Sequence, residues 1–399
     1  MRNVLVCLLL LMVMVACGTA PSPGQVATIP PSSPAPPSPA VSATAPVPAS
    51  PVVSPSLASP ALSWAAAGLN DGSLRHLQLL DRENGWAITD SGVYHLQGGR
   101  WENVMPADGT GTPLTSFFFL DNQHAWLLKL GEGTFTSGSL YHTSDGGKRW
   151  ESIAVPFSMA TFDFVNAEQG WAMAELGSGA GKSAIAIYQT QDAGHRWDLQ
   201  FVNDPNMAGA RQDIPLAGMK NGLMARDLKT AWVTGTVYAP LIPYLYITHD
   251  GGKSWQQQPL VFPEGDPNAM ALVQSPILLS ASEMLLPVEL VGDLTRTVIY
   301  ISRDGGESWQ PAVTLNGRGR FQAFSLQEWL FWSENLLFYT RDGGQNWEIR
   351  TPQRTFGNEL PGIQFLTSQE GFLWANSIEG HASIYHTADG GWTWIQIYP

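Results

Sequence analysis

One octapeptide, Ser/Thr-x-Asp-x-Gly-x-x-Trp, occurs six times in this chain: TSDGGKRW ending at Trp150, TQDAGHRW at Trp197, THDGGKSW at Trp255, SRDGGESW at Trp309, TRDGGQNW at Trp347 and TADGGWTW at Trp394. A Tyr or Phe stands two residues before each Ser/Thr: Tyr141, Tyr188, Tyr246, Tyr300, Phe338 and Tyr385. YHLQGGRW, ending at Trp101, reads as a seventh, worn copy. The closing tryptophans are 49, 47, 58, 54, 38 and 47 residues apart. A recurrence of that period means one supersecondary unit used repeatedly, each burying its neighbours.

A second landmark lies upstream in most units: NGWAIT at Trp86, HAWLLK at Trp126, QGWAMA at Trp171, TAWVTG at Trp232 and GFLWAN at Trp374, with EMLLPV in unit five and WLFWSE in unit six. The third unit reads as four short strands, TFDFV, GWAMAEL, SAIAIYQT and RWDLQFV. Their apolar residues alternate as half-buried antiparallel strands require. Four strands in about 47 residues are the size of a β-propeller blade. The octapeptide has a local physical reason. Its Asp (Asp145, Asp192, Asp250, Asp304, Asp342, Asp389) can accept backbone N–H bonds across a tight turn, and the Gly two residues on can take positive φ. These six carboxylates are therefore expected to be structural, not catalytic.

The pattern is identified as the Asp-box, or BNR repeat. It resembles sialidase-type and sortilin-type propellers, and with its xGWA strands and YHTxDGGxxW turns is most similar to the photosystem II assembly and stability factor group. The resemblance implies an all-β, seven-bladed propeller of four-stranded antiparallel blades over residues 62–399, used as a binding scaffold. Blades are expected near 70–104, 112–155, 160–202, 217–260, 270–313, 320–350 and 361–398. Closure is expected to lack a strand exchanged between the termini, and LSWAAAGL (62–69) is a candidate for extra pairing.

The N-terminus carries an address. Arg2 precedes an apolar run that ends at Ala16, too short for a comfortable bilayer span and typical of a signal peptide over residues 1–16. The following Cys17 resembles a bacterial lipobox, which implies cleavage before it and its lipidation. Cys7 is the other cysteine and lies in the removed segment, so no disulfide is possible in the mature chain. Residues 17–61 then form a Pro/Ala/Ser-rich spacer without periodicity, able to hold a domain up to ~130 Å from a membrane if fully extended. The expected location is the extracytoplasmic side of a bacterial cell membrane.

Chemistry is sparse. Net charge is −13 and there is no basic patch, which excludes nucleic acid as an expected partner. No HExxH, GxSxG or His/Asp cluster occurs, so no metal, cofactor or catalytic residue is assigned. GSGAGKS (177–183) lacks the first Gly of a phosphate loop and reads as a flexible hairpin loop. The Arg-Ile-Pro tripeptide of sialidases is absent. Glu132, Glu175, Asp204, Asp213, Glu264, Asp266, Glu289 and Asp293 fall on loops opposite the boxes, and no spacing selects a pair. The same face carries the long stretches 202–215, 236–244 and 261–270. On them Tyr238, Leu241, Ile242 and Tyr244 are expected to form an exposed aromatic-apolar knob, with Arg211, Asp213, Glu264 and Asp266 as a charged rim. The alternative is that these loops pack on each other. The expected function is a monomeric, membrane-anchored scaffold binding a protein or glycan of the cell envelope, the rival being a glycoside hydrolase of sialidase or xyloglucanase type.

Overall fold

A computed structural model of the chain describes residues 69, 73–107, 114–130, 137–356, 362–376 and 382–398. All belong to the unit Ala58–Pro399. The signal segment, Cys17, the spacer, Glu132 and all of 62–69 except Leu69 lie outside the described residues.

Every element named among the described residues is a β-strand. The strands form successive antiparallel meanders of four, running from an inner strand outward. The inner strands are Leu74–Leu79, Leu114–Phe119, Ala160–Phe164, Met219–Ala225, Met270–Val273, Arg320–Ala323 and Gly362–Phe365, matching the expected blade starts within a few residues. These seven units are consistent with the expected seven-bladed ring. Two of them are spliced. The second strand of blade four, Ala231–Pro240, overruns its own hairpin and pairs with the inner strand of blade five at Thr236↔Leu272 and Pro240↔Met270.

The second strands are buried on both faces, not alternately. GWAIT (85–89) and WLFWS (329–333) have no exposed residue. Blades stack face to face, so a strand in mid-blade has a neighbour on either side and reads as a continuous apolar run. The tryptophans of the second landmark are the stacking pieces. Trp86, Trp126 and Trp171 are fully buried, and each indole N–H donates to a carbonyl of the next blade: Asp121 at 2.8 Å, Ala193 at 2.8 Å and Asp227 at 3.0 Å. In blade seven the same position is filled by Phe372, buried beside Gly371, and not by Trp374, which is only half-buried.

Inner strands are tied by side-chain amides. Gln322 accepts from Phe365 N (2.9 Å) and donates to Phe365 O, and Gln364 accepts from Leu79 N (2.8 Å) and donates to Leu79 O (2.7 Å). Each primary amide thus imitates a strand partner for the next blade's last inner residue. Gln78 donates to Phe119 O at 3.0 Å, and Asp163 accepts from Ala225 N at 2.6 Å, at the equivalent positions of blades one and three. The Gln364 clasp, with Asn376 bonded to Leu74 N (2.9 Å) and Leu74 O (3.0 Å), joins the last blade to the first. No strand is exchanged there among the described residues, as expected. Leu69 joins the apolar cluster at that seam, which holds Leu74, Leu77, Phe372 and Ile384.

The six boxes share one geometry. In the first, Asp145 Oδ1 accepts from Arg149 N at 3.0 Å, and Thr143 Oγ1 accepts from Gly147 N at 3.0 Å while donating to Asp145. Gly146 and Gly147 both have positive φ. Asp192, Asp250, Asp304, Asp342 and Asp389 repeat the same bonds. The Arg149 side chain, followed by Arg149 N, holds the Asp145 carboxyl down at about 2, and the Asn346 bonds do the same for Asp342, as fixed turn acceptors require. The worn copy in blade one departs from this. Gly98 and Gly99, at φ 58° and 77°, close a two-residue hairpin with Gln97 paired to Arg100.

Candidate functional site

In each meander the turns after the inner and third strands lie at one end, with the boxes. The turns after the second strand, and the links between blades, lie at the other. On that second face blades three to five depart from the rest. The hairpin Gly170–Gly179 to Lys182–Thr190 is about twice the usual strand length. Its tip is an ordered two-residue turn, with Ala180 and Gly181 at φ 50° and 72°, so 177–183 continues the strands and is not a loose loop. Together with the overrun of Ala231–Pro240 it forms a raised ridge. Gly181 O accepts from Gly218 N at 2.8 Å, and a Cβ at Gly181 would touch the ring of Tyr238 at 3.0 Å.

Lys220 fastens the base of this ridge. Its ammonium donates to the carbonyls of Ser183 (2.8 Å), Leu216 (2.9 Å) and Gly218 (3.0 Å), and lies 5.3 Å from the Tyr244 ring centre. Burial lowers its pKa to about 8. Nothing in the sequence pattern separates this lysine from a solvated one.

Two irregularities open the inner wall beside the ridge. Asn221 is the extra residue of a bulge between Lys220 and Gly222 and is exposed. In blade five the inner strand stops at Val273 and resumes at Ile277 across Gln274, Ser275 and Pro276, where proline cannot donate to the ladder. Between them lies a cavity of about 250 Å³ lined by Asn221, Gly222, Thr234, Leu272, Val273, Gln274, Ser275 and Glu289. A second, of about 260 Å³, shares Asn221 and is lined also by Thr161, Glu175, Ser183 and Lys220. Glu289 is 8% exposed, and its carboxylate accepts from Gln274 Nε2 at 3.0 Å and Arg318 Nε at 2.7 Å. Glu175 accepts from the Ser178 hydroxyl at 2.7 Å.

The residues expected to form an exposed knob and rim are only partly brought together. Tyr238 (59% exposed) and Ile242 are exposed. Tyr244 is not. It opens the third strand of blade four, is 2% exposed and donates its hydroxyl to Pro215 O at 2.9 Å, while burial pushes its pKa up. Leu241 is packed against the core of blades four and five, its N–H on Ala269 O at 2.9 Å. Arg211 is half-buried and donates to Gly252 O (2.9 Å), Gln200 O (3.0 Å) and Lys253 O, which makes it a clamp on the fourth blade's box and not a free rim charge. Asp213 lies 3.8 Å from it. Asp266 accepts from Asn268 N (2.8 Å) and Asp293 N (3.0 Å), which lower its pKa as in any turn-closing carboxylate. Glu264 is exposed, and its carbonyl is held by Arg296 at 2.9 Å. These loops largely pack on one another, and the open ground lies inward of them, at Asn221 and Glu289.

The architecture defines a class: a β-propeller of four-stranded antiparallel blades whose hairpins are closed by Asp-box turns. Residues 246–257 and 300–311 match the family model described as BNR/Asp-box repeat. No curated protein matches the chain by sequence. Among solved structures it is similar to YCF48 bound to D1 peptide, at 16% identity over 81% of this chain and 92% of that one, with a TM-score of 0.50. It is also similar to the GH74 xyloglucanase from Xanthomonas campestris, at 14% identity and TM-score 0.54, over 82% of this chain and 54% of that one. The chain thus spans about half the length of the xyloglucanase. The chain therefore carries BNR/Asp-box repeats on a β-propeller fold similar to that of YCF48.

Proposed function

We propose that this protein is a lipid-anchored, extracytoplasmic scaffold whose propeller binds a protein or glycan, without catalysis, on the face opposite the Asp-boxes at blades three to five. The observation that carries the reading is local. On that sector a bulge at Asn221, an inner strand broken at 275–276, an overlong hairpin and a third overlong strand leave paired cavities beside a ridge. Irregularities of that kind re-aim side chains in an otherwise regular sheet. Propellers of this fold include one solved with a bound peptide and one named a xyloglucanase, so both ligand classes suit the architecture. Glu289, the carboxylate on the cavity wall, is already engaged by Gln274 and Arg318, which favours holding a ligand over proton transfer.

Immobilised full chain is expected to capture a cell-envelope component. Asn221→Ala with Tyr238→Ala should abolish capture, and Lys148→Ala with Arg149→Ala, on the box face, should leave it intact. The opposite pattern assigns the function to the box face.

The anchor rests on Cys17 as the first mature residue. Cys17→Ser is expected to abolish lipid labelling and release the protein to the medium. Retention of the variant in the membrane, with no acylation of the parent, rules the anchor out.

A further inference from the structure

We propose that the cavity between the inner strands of blades four and five is a subsite for one neutral sugar ring, the terminal or branching residue of a glycan. The proposal rests on the reading that this face binds a ligand, and it names the ligand's chemistry.

The cavity is built from departures in the backbone. A regular inner strand in blade five would carry Ser275 in the ladder after Gln274, whose N–H still donates to Pro287 O at 3.1 Å, and the strand instead breaks at Ser275 and Pro276 before resuming at Ile277. Opposite, Gly222 keeps the floor open. A Cβ there would lie 2.3 Å from Thr234 Oγ1 and 2.4 Å from Ser275 Oγ, so any larger residue would fill the space where these two hydroxyls converge.

Thr234 supplies the sharpest sign that a ligand completes the site. Its side chain is 1% exposed, lines the cavity, and its hydroxyl finds no hydrogen-bond partner among the described residues. A buried hydroxyl is normally satisfied, and valine would fill the same volume without the polar atom.

The remaining lining is amphipathic in the way a pyranose is. Leu272 and Val273 offer apolar contact for C–H faces, while Asn221, Gln274, Ser275 and Glu289 offer donors and acceptors for ring hydroxyls. The charge balance selects a neutral guest. Glu289 is a strong acceptor, but Arg318 at 2.7 Å compensates its charge, so the wall can take hydroxyl hydrogens without drawing a free cation. A volume of about 250 Å³ is room for one sugar ring, and the adjoining cavity beyond Asn221 gives a second residue a place to continue.

The test is saturation-transfer NMR and calorimetry on the full chain, in a detergent without a sugar headgroup. The probes are the methyl glycosides of glucose, galactose, mannose and N-acetylglucosamine, together with cellobiose. At least one glycoside should bind in the millimolar range. Thr234→Val should weaken it about tenfold, and Gly222→Ala should do so at least as strongly. Thr234→Val is nearly isosteric and should melt as the parent does, so its loss of binding is not a loss of fold. Tighter binding of cellobiose than of the methyl glucoside marks a glycan and not a free monosaccharide as the natural guest. Transfer to none of the five probes means the cavity holds ordered water only, and the proposal falls. Binding that survives both substitutions places any sugar elsewhere and overturns it equally. The scaffold reading fails separately, if envelope capture ignores the Asn221 and Tyr238 variants while a glycoside still binds in the cavity.

Discussion

Trp171→Ala is expected to cost about 3–5 kcal/mol of unfolding free energy, the range for deleting a large buried aromatic ring. Trp171 is fully buried in the cluster between blades three and four. Its ring lies edge-on to Trp255 at 6.4 Å, and its six-membered edge faces the second glycine of the next box, where a Cβ at Gly252 would approach it to 3.3 Å. Alanine therefore empties the junction between two blades and leaves the Asp227 carbonyl without its indole donor. Trp171→Phe separates the two losses. It keeps a buried aromatic ring but loses the N–H and part of the indole, so it should cost about 1–3 kcal/mol, less than alanine. Urea unfolding of the three proteins measures both. A cost below about 1 kcal/mol for alanine would show that the blades stack independently of this position. Leu285 and Leu330, buried at the equivalent places in blades five and six, show that a smaller side chain is tolerated where its neighbours have adapted.

The parts of the fold that were legible in the sequence are those whose physics is local. A box needs its Ser/Thr, Asp, Gly and Trp within eight residues, and each of these bonds closes inside that span. The blade limits followed from them. What the motif did not disclose is that the Ser/Thr hydroxyl is as central as the carboxylate, since it alone accepts the N–H of the second glycine. The landmark in GFLWAN was misplaced onto Trp374 because tryptophan recurs at that position elsewhere, while register puts Phe372 there.

The candidate site was legible only as a face. The stretch 236–244 is rich in Pro, Tyr and Ile and reads as a loop, yet Thr236 and Pro240 pair with blade five and Tyr244 begins a buried strand. Exposure of those residues depends on a strand pairing some 30 residues away, which no local pattern reports. Arg211 is a similar case: its three acceptors lie in the preceding blade's outer strand and the next blade's box. The cavity has the same origin, because Gly222, Thr234 and Ser275 meet only after blades four and five dock. Glu289 stood among eight loop carboxylates, and its burial with Arg318 comes from a segment 29 residues on.

Asp163→Asn is expected to stabilise the propeller at pH 8 and to do little at pH 4. Asp163 occupies the inner-strand position that Gln78, Gln322 and Gln364 hold in other blades, and is half-buried there. It receives one backbone N–H, from Ala225 at 2.6 Å. Burial outweighs that bond and raises its pKa from 3.8 to about 6. The sign follows from linkage. A carboxyl whose folded pKa is raised contributes stability while protonated, in full below about pH 4, and loses it as pH climbs through about 6. The shift of about two pKa units corresponds to an upper bound of about 3 kcal/mol, reduced by whatever solvent reaches a half-buried group. Asparagine has the same shape and no charge. Its amide can accept from Ala225 N and offer a hydrogen toward Ala225 O, as Gln322 does with Phe365. Thermal unfolding of parent and variant between pH 4 and pH 8 should therefore show two curves that meet at the acid end and separate above pH 6, with asparagine the more stable. Parallel curves, or an asparagine variant that is weaker at pH 8, would mean that the carboxylate is tolerated as the anion, and that this clasp between blades three and four is an ordinary ionised acceptor.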